Sequence, residues 1–123
     1  TTPGTMKITT FPFSQDDRGY GCEYEQQRPG KHMLVFTKAG AIRGRHYHKG
    51  ISPTKNPEII ILISGTTTLR WRHKDGRELE SAMVSAPARI EIPPFIWHEF
   101  QAQDDCAMIE LNSLAEHAAD TFL

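Results

Sequence analysis

The sequence predicts an all-β barrel closed by a short C-terminal helix, and three observations carry that expectation. Eight prolines and nine glycines cut 123 residues into short apolar stretches at regular intervals, the spacing of a sandwich or barrel. Long helical patterns are absent. After Leu111 the pattern changes to Ser113-Leu114-Ala115-Glu116, the spacing of a capping box, with Ser at the N-cap and Glu three residues on. A helix through about residue 119 is expected there, packed on the outside of the barrel.

The strands are expected at 32–38, 41–48, 58–63, 67–73, 78–84, 89–92, 97–101 and 107–111. The run from Ile59 to Ile63 is apolar on both faces, which suits an inner strand covered on each side. The next strand alternates Leu69 and Trp71 with Arg70 and Arg72, so one of its faces is wet. Between the strands at 67–73 and 78–84 stands Lys74-Asp75-Gly76-Arg77, and Asp-Gly there reads as a type I′ hairpin turn.

Bulk properties narrow the function. The chain has 14 basic and 15 acidic residues and shows no basic stripe, which argues against nucleic acid as a partner. Its longest apolar run is far below the roughly 20 residues of a membrane-spanning helix, and a basic-then-apolar leader is not seen. The protein therefore reads as soluble and cytoplasmic. Cys22 and Cys106 lack CxxC spacing, and each reads as a buried free thiol. Residues 1–5, ahead of Met6, look like a remnant of expression, which leaves one domain over 6–123.

The chemistry concentrates in four side chains. His46 and His48 stand two apart on an expected strand, so period-two geometry sends both imidazoles to one face. Glu58 opens the following strand, and His98 follows the tight Pro93-Pro94-Phe95-Ile96-Trp97 stretch. Three imidazoles and a carboxylate suit a first-row divalent metal with a coordination position left open. His32, His73 and His117 are expected to be ordinary surface or hydrogen-bonded residues. Arg70 and Arg72 become candidates for a substrate diphosphate if their face looks inward.

At this point the sequence resembles the cupin superfamily, whose first motif is matched by Gly40, His46, His48, Glu58 and Gly65. The gap between His48 and Glu58 holds nine residues where the family usually has three or four, which reads as a loop insertion. The second motif is matched by Pro93 and His98, with Phe95 where glycine is usual. The resemblance implies a double-stranded β-helix, or jelly-roll barrel, with the pocket in its mouth.

A narrower likeness is to nucleotide-sugar cupins. Asp16-Asp17-Arg18-Gly19-Tyr20 followed by Glu23, and Ile42-Arg43-Gly44-Arg45-His46-Tyr47, are similar to signature stretches of dTDP-4-dehydrorhamnose 3,5-epimerases. The His-Tyr-His version is similar to capsular-polysaccharide epimerase cupins and dTDP-sugar 3,4-ketoisomerases. The resemblance implies that His46 is the base or a metal ligand and that Arg43 contacts substrate. It further implies that Arg18 and Glu23 help hold the nucleotide, sometimes across a homodimer interface. The epimerases carry a tyrosine acid on a later strand, whereas no tyrosine follows Tyr47 here.

The expected reaction acts on a 4-keto nucleotide sugar. A neutral histidine removes a hydrogen beside the carbonyl, and a cation, either a metal (Zn, Fe, Mn or Ni) or Arg43, steadies the enolate oxygen. Two other functions fit the same pocket: a metal-dependent cupin oxygenase, and a binding module without catalysis.

Overall fold

The computed structural model describes residues 5–25 and 28–123, so the remnant expected at 1–5 lies outside the described residues except for Thr5. In chain order the described elements are β1 (Lys7–Thr10), β2 (Ser14–Asp16), β3 (Gly19–Gly21), β4 (Met33–Thr37), β5 (Ile42–His46) and β6 (Glu58–Ser64). There follow β7 (Thr66–His73), β8 (Glu80–Ser85), β9 (Ala88–Ile92), β10 (Ile96–Ala102), β11 (Cys106–Glu110) and α1 (Leu114–Ala119). One antiparallel sheet runs β1-β9-β6-β11-β4 and a second runs β5-β10-β7-β8, while β2 and β3 form a separate hairpin. The all-β expectation with a short terminal helix holds.

The core lies between the two sheets. Ile60, Leu62, Ile90, Ile92 and Met108 from one sheet meet Leu69, Val84 and Phe100 from the other. As β6 is the middle strand of its sheet, its alternate residues Ile59 and Ile61 need a second cover, which Leu111, Phe11 and Ile109 supply. That is the strand apolar on both faces that the sequence describes.

Four expectations are corrected. The strand expected over 41–48 ends at His46; beyond it Tyr47 bridges Phe122 of the C-terminal tail, with N–H···O distances of 2.8 and 2.9 Å. The Asp75-Gly76 pair is no type I′ turn, since Gly76 does not take a positive φ and β8 starts only at Glu80. Instead Gly76 N–H closes a turn onto the His73 carbonyl, and Lys74 N–H is drawn to the Phe95 carbonyl at 2.9 Å. Helix α1 does not lie merely outside: Leu114 and His117 form part of the wall of the central cavity. Finally, Cys106 is a buried free thiol as expected but Cys22 is exposed, since it lies just past the small, solvent-facing β2–β3 hairpin. Beyond these corrections, β1 and the β2–β3 hairpin come from sequence too polar and too short to announce themselves as strands. Among the described residues no helix is long and apolar enough to cross a membrane.

Candidate functional site

A cavity of about 270 Å³ opens between the sheets, with Met33, Val35, Phe100 and Met108 as its apolar lining. Its polar lining is Arg43, His46, Glu58, His98, Glu110 and His117. Strand pairing places the first two histidines: His98 of β10 is the direct partner of His46 of β5, and the register then shifts between His98 and Glu99. Gly44 permits that approach. Its φ is +95°, and a Cβ there would lie 2.8 Å from the His98 carbonyl oxygen. The rings of His46, His48 and His98 consequently cluster with centroids 4.9 to 5.3 Å apart.

Backbone carbonyls fix two of the imidazoles. His48 Nδ1 donates to the Asp120 carbonyl at 2.5 Å, and His98 Nδ1 donates to the Ile96 carbonyl at 2.9 Å. A carbonyl only accepts, so each Nδ1 carries the proton and each Nε2 is left with its lone pair. Those two Nε2 atoms face Glu58, at 3.2 Å from Oε2 and 3.4 Å from Oε1, and both are buried without a hydrogen-bond partner. Lone pairs meeting a carboxylate repel it unless a cation or a proton stands between them. His46, His48 and His98 offer ligand nitrogens within 4.8 Å of one another, and His48, Glu58 and His117 form a second such group, so the cluster fits a divalent metal.

One cation is already at the carboxylate. Lys55, fully buried, pairs its ammonium with Glu58 Oε2 and donates to His117 Nδ1 at 2.9 Å. It comes from the segment 49–57, the insertion that the sequence shows without revealing its purpose. The Asp120 carboxylate accepts from Lys49 N–H and Ser52 N–H at 2.8 and 3.0 Å, and Thr54 donates to Glu116 at 2.9 Å. Arg28 adds bonds to the Thr54 and Pro57 carbonyls on either side of Lys55. The insertion is thus tied down from three directions.

Electrostatics follow from this crowding. Burial would raise Glu58, but its close contacts with His48 and His98 and the nearby Lys55 charge outweigh it and hold the carboxyl well below its usual range. Burial, and then the neighbouring His98 and His48, push His46 down to about 3, so it is neutral at pH 7. Burial and Lys55 push His117 down to about 4. Glu110 moves the other way, up to about 7, through burial and then the Glu58 charge.

The structure brings His46, His48, Glu58 and His98 together as the sequence suggests and adds three residues that sequence reasoning missed. Lys55 is one, and the insertion was its only signal. His117, expected to be an ordinary surface or hydrogen-bonded residue, is hydrogen-bonded to Lys55 and also has its ring centroid 5.4 Å from that of His46. Glu110 lies two residues beyond buried Met108 on β11, so strand alternation could have found it.

The remaining expected residues are scattered. Arg43 borders the cavity, held by Thr37 Oγ1 at 2.8 Å and the Phe36 carbonyl at 2.7 Å. Arg70 and Arg72 do not look inward, because Leu69 and Trp71 of the same strand pack on the core. Arg70 instead bonds Gln101 and pairs with Glu99, and Arg72 lies over the Trp97 ring. The condition for their binding a diphosphate inside the barrel is not met. Arg18 sits at the exposed turn of the β2–β3 hairpin and pairs with Asp16, and Glu23 is exposed beyond it; neither lines the cavity.

A family model described as the polysaccharide biosynthesis C-terminal domain matches residues 14–121. The chain belongs to this family. Among solved structures, the QdtA 3,4-ketoisomerase from Thermoanaerobacterium thermosaccharolyticum, a double mutant in complex with TDP, superposes with a TM-score of 0.70 at 20% identity. That match covers 95% of this chain and 86% of the ketoisomerase. A dTDP-4-dehydrorhamnose 3,5-epimerase from Bacillus anthracis, with TDP and PPi bound, gives 0.61 at 20% identity over 85% and 70% of the two chains. The capsular polysaccharide assembling protein CapF from Staphylococcus aureus gives 0.61 at 22% identity, and this polysaccharide biosynthesis domain spans 34% of its length. No curated protein sequence matches. These likenesses establish the cupin barrel, and the residue-level reading of the pocket stands on its own geometry.

Proposed function

We propose that this domain is a nucleotide-sugar epimerase or ketoisomerase that removes a proton beside the carbonyl of a 4-keto hexose. The observation that carries the reading is His46: an imidazole kept neutral by burial, on the wall of a cavity sized for a sugar ring. A whole nucleotide sugar exceeds that cavity, so the nucleotide extends beyond its mouth. In the homodimer this reading includes, the exposed Arg18 and Glu23 of a partner copy hold it.

His46 takes the proton. Arg43, fixed by Thr37 and Phe36 at the cavity wall, supplies positive charge where the enolate oxygen develops. With no tyrosine lining the cavity, Glu110 stands as the proton donor, since it is held protonated further up the pH scale than an ordinary carboxyl. Met33, Val35, Phe100 and Met108 exclude water from the ring. With His46 as the base, His48, Glu58 and His98 are the residues that would hold a divalent metal, and a bound metal would supply Lewis-acid stabilisation of negative charge.

Similarity to ketoisomerase and epimerase structures supports the substrate class. The test is incubation of the protein with TDP-4-keto-6-deoxyglucose in deuterated water, followed by NMR of the sugar. Deuterium entering the ring beside the carbonyl is the expected result. A panel of 4-keto nucleotide sugars that all keep their hydrogens overturns the reading.

A further inference from the structure

We propose that Lys55 is a built-in rival of the metal: its ammonium holds the carboxylate that a divalent ion must recruit, so metal enters the pocket by displacing it. The inference rests on the reading of His48, Glu58 and His98 as a metal centre and adds the residue that sets its affinity. The contacts are specific. Glu58 Oε2, the atom 3.2 Å from the His48 lone pair, is the same atom that Lys55 engages. Both side chains are buried, at 0 and 1% exposure, so solvent does not satisfy either charge when they part.

The geometry also says what Lys55 leaves undone. Its ammonium reaches Glu58 and His117, while the Nε2 lone pairs of His48 and His98 stay without a partner. A metal ion satisfies those nitrogens and the carboxylate together, whereas the lysine satisfies the carboxylate and His117 but neither of those nitrogens. Two cations therefore compete for Glu58, one covalently tethered and one free. Tethering gives the lysine a high effective concentration, and the free ion must offset it through the imidazoles. The tether is firm, because Arg28 and Asp120 fix the segment around Lys55.

The chemistry makes an asymmetric prediction. Removing Lys55 leaves Glu58 as an uncompensated buried carboxylate facing two unpartnered imidazole nitrogens, a site only a cation relieves. Lys55→Met and Lys55→Gln should therefore melt at lower temperature without metal, yet bind Zn²⁺ and Co²⁺ at least tenfold more tightly than the wild type. Binding is read by calorimetry and by the visible absorption of Co²⁺, and the gain in melting temperature on adding Zn²⁺ should be larger in the variants. A residue with only a structural role lowers the metal-free melting temperature without raising affinity. Wild type and variants binding Zn²⁺ equally, or variants binding it more weakly, overturns the rivalry and leaves the metal centre standing. Absence of binding in all three proteins overturns both. Where the variants fail to fold alone, folding on addition of Zn²⁺ supports the proposal, and failure to fold even at millimolar Zn²⁺ contradicts it.

Discussion

Gly44 shows how much of the site turns on one position. It has no side chain where a Cβ would press on the His98 carbonyl, and its positive φ suits glycine. Gly44→Ala should lose about 2–3 kcal/mol of stability, measured by urea melts, from crowding plus backbone strain. A stable Gly44→Ala protein with its histidine cluster intact would contradict the strand approach described here. Phe95 is the reverse case: it stands where the cupin motif usually has glycine and takes a φ of +66°, so the turn keeps its shape at a local cost. The four-residue pocket was legible because His-x-His spacing and a proline-flanked histidine are local signals. So was the outward direction of Arg70 and Arg72, since Leu69 and Trp71 claim the inner face of the same strand. Glu110 yields a pH prediction. Its folded value, about 7, exceeds the ordinary 4.5, so the folded protein holds this proton more tightly than the unfolded chain. The resulting stability is present below about pH 4.5 and is lost as pH rises through about 7. Glu110→Gln should shrink the drop in metal-free melting temperature between pH 5 and pH 8, and an unchanged drop would show that another group causes it.

At the scale of elements, the inserted segment and α1 act together. Asp120, just past α1, accepts two backbone N–H bonds from the insertion through its carboxylate, and its carbonyl orients His48. Asp120→Ala should cost about 2–3 kcal/mol by leaving those donors unpaired. Hydrogen exchange should then rise at Lys49 and Ser52 while the β6 amides stay protected. Uniform loss of protection would instead make the segment part of the global unfolding unit. The capping box also behaves as the sequence suggests: Ser113 accepts from Glu116 N–H at 3.1 Å, and Glu116 accepts from Ser113 N–H at 2.9 Å. Ser113→Ala should therefore lower stability by about 1 kcal/mol, again by urea melts. What the sequence could not convey is where this helix docks. A local pattern sets the helix, whereas tertiary packing aims it, and so His117 and Lys55 read as ordinary polar residues until the fold brings them beside Glu58.

Across the whole molecule, two sheets enclose an apolar core at one end and a polar cavity at the other, so the histidines gain burial without losing access to a ligand. The core residues follow strand periodicity, which is why the barrel could be read in advance. The turn after β7 could not, because its Asp-Gly pair yields to contacts with Phe95 from a distant loop. The pocket depends on this division: strands hold His46 and His98, a loop brings Lys55, and the terminal helix brings His117. In the proposed reaction, proton abstraction from the sugar starts at His46. Its most direct measurement compares wild type and His46→Asn for deuterium entry into a bound 4-keto nucleotide sugar under single-turnover conditions. Sugar binding within a few-fold of wild type and exchange slowed by about 10²–10⁴-fold, the usual contribution of a general base, are expected. Exchange at the wild-type rate in His46→Asn would contradict abstraction by His46.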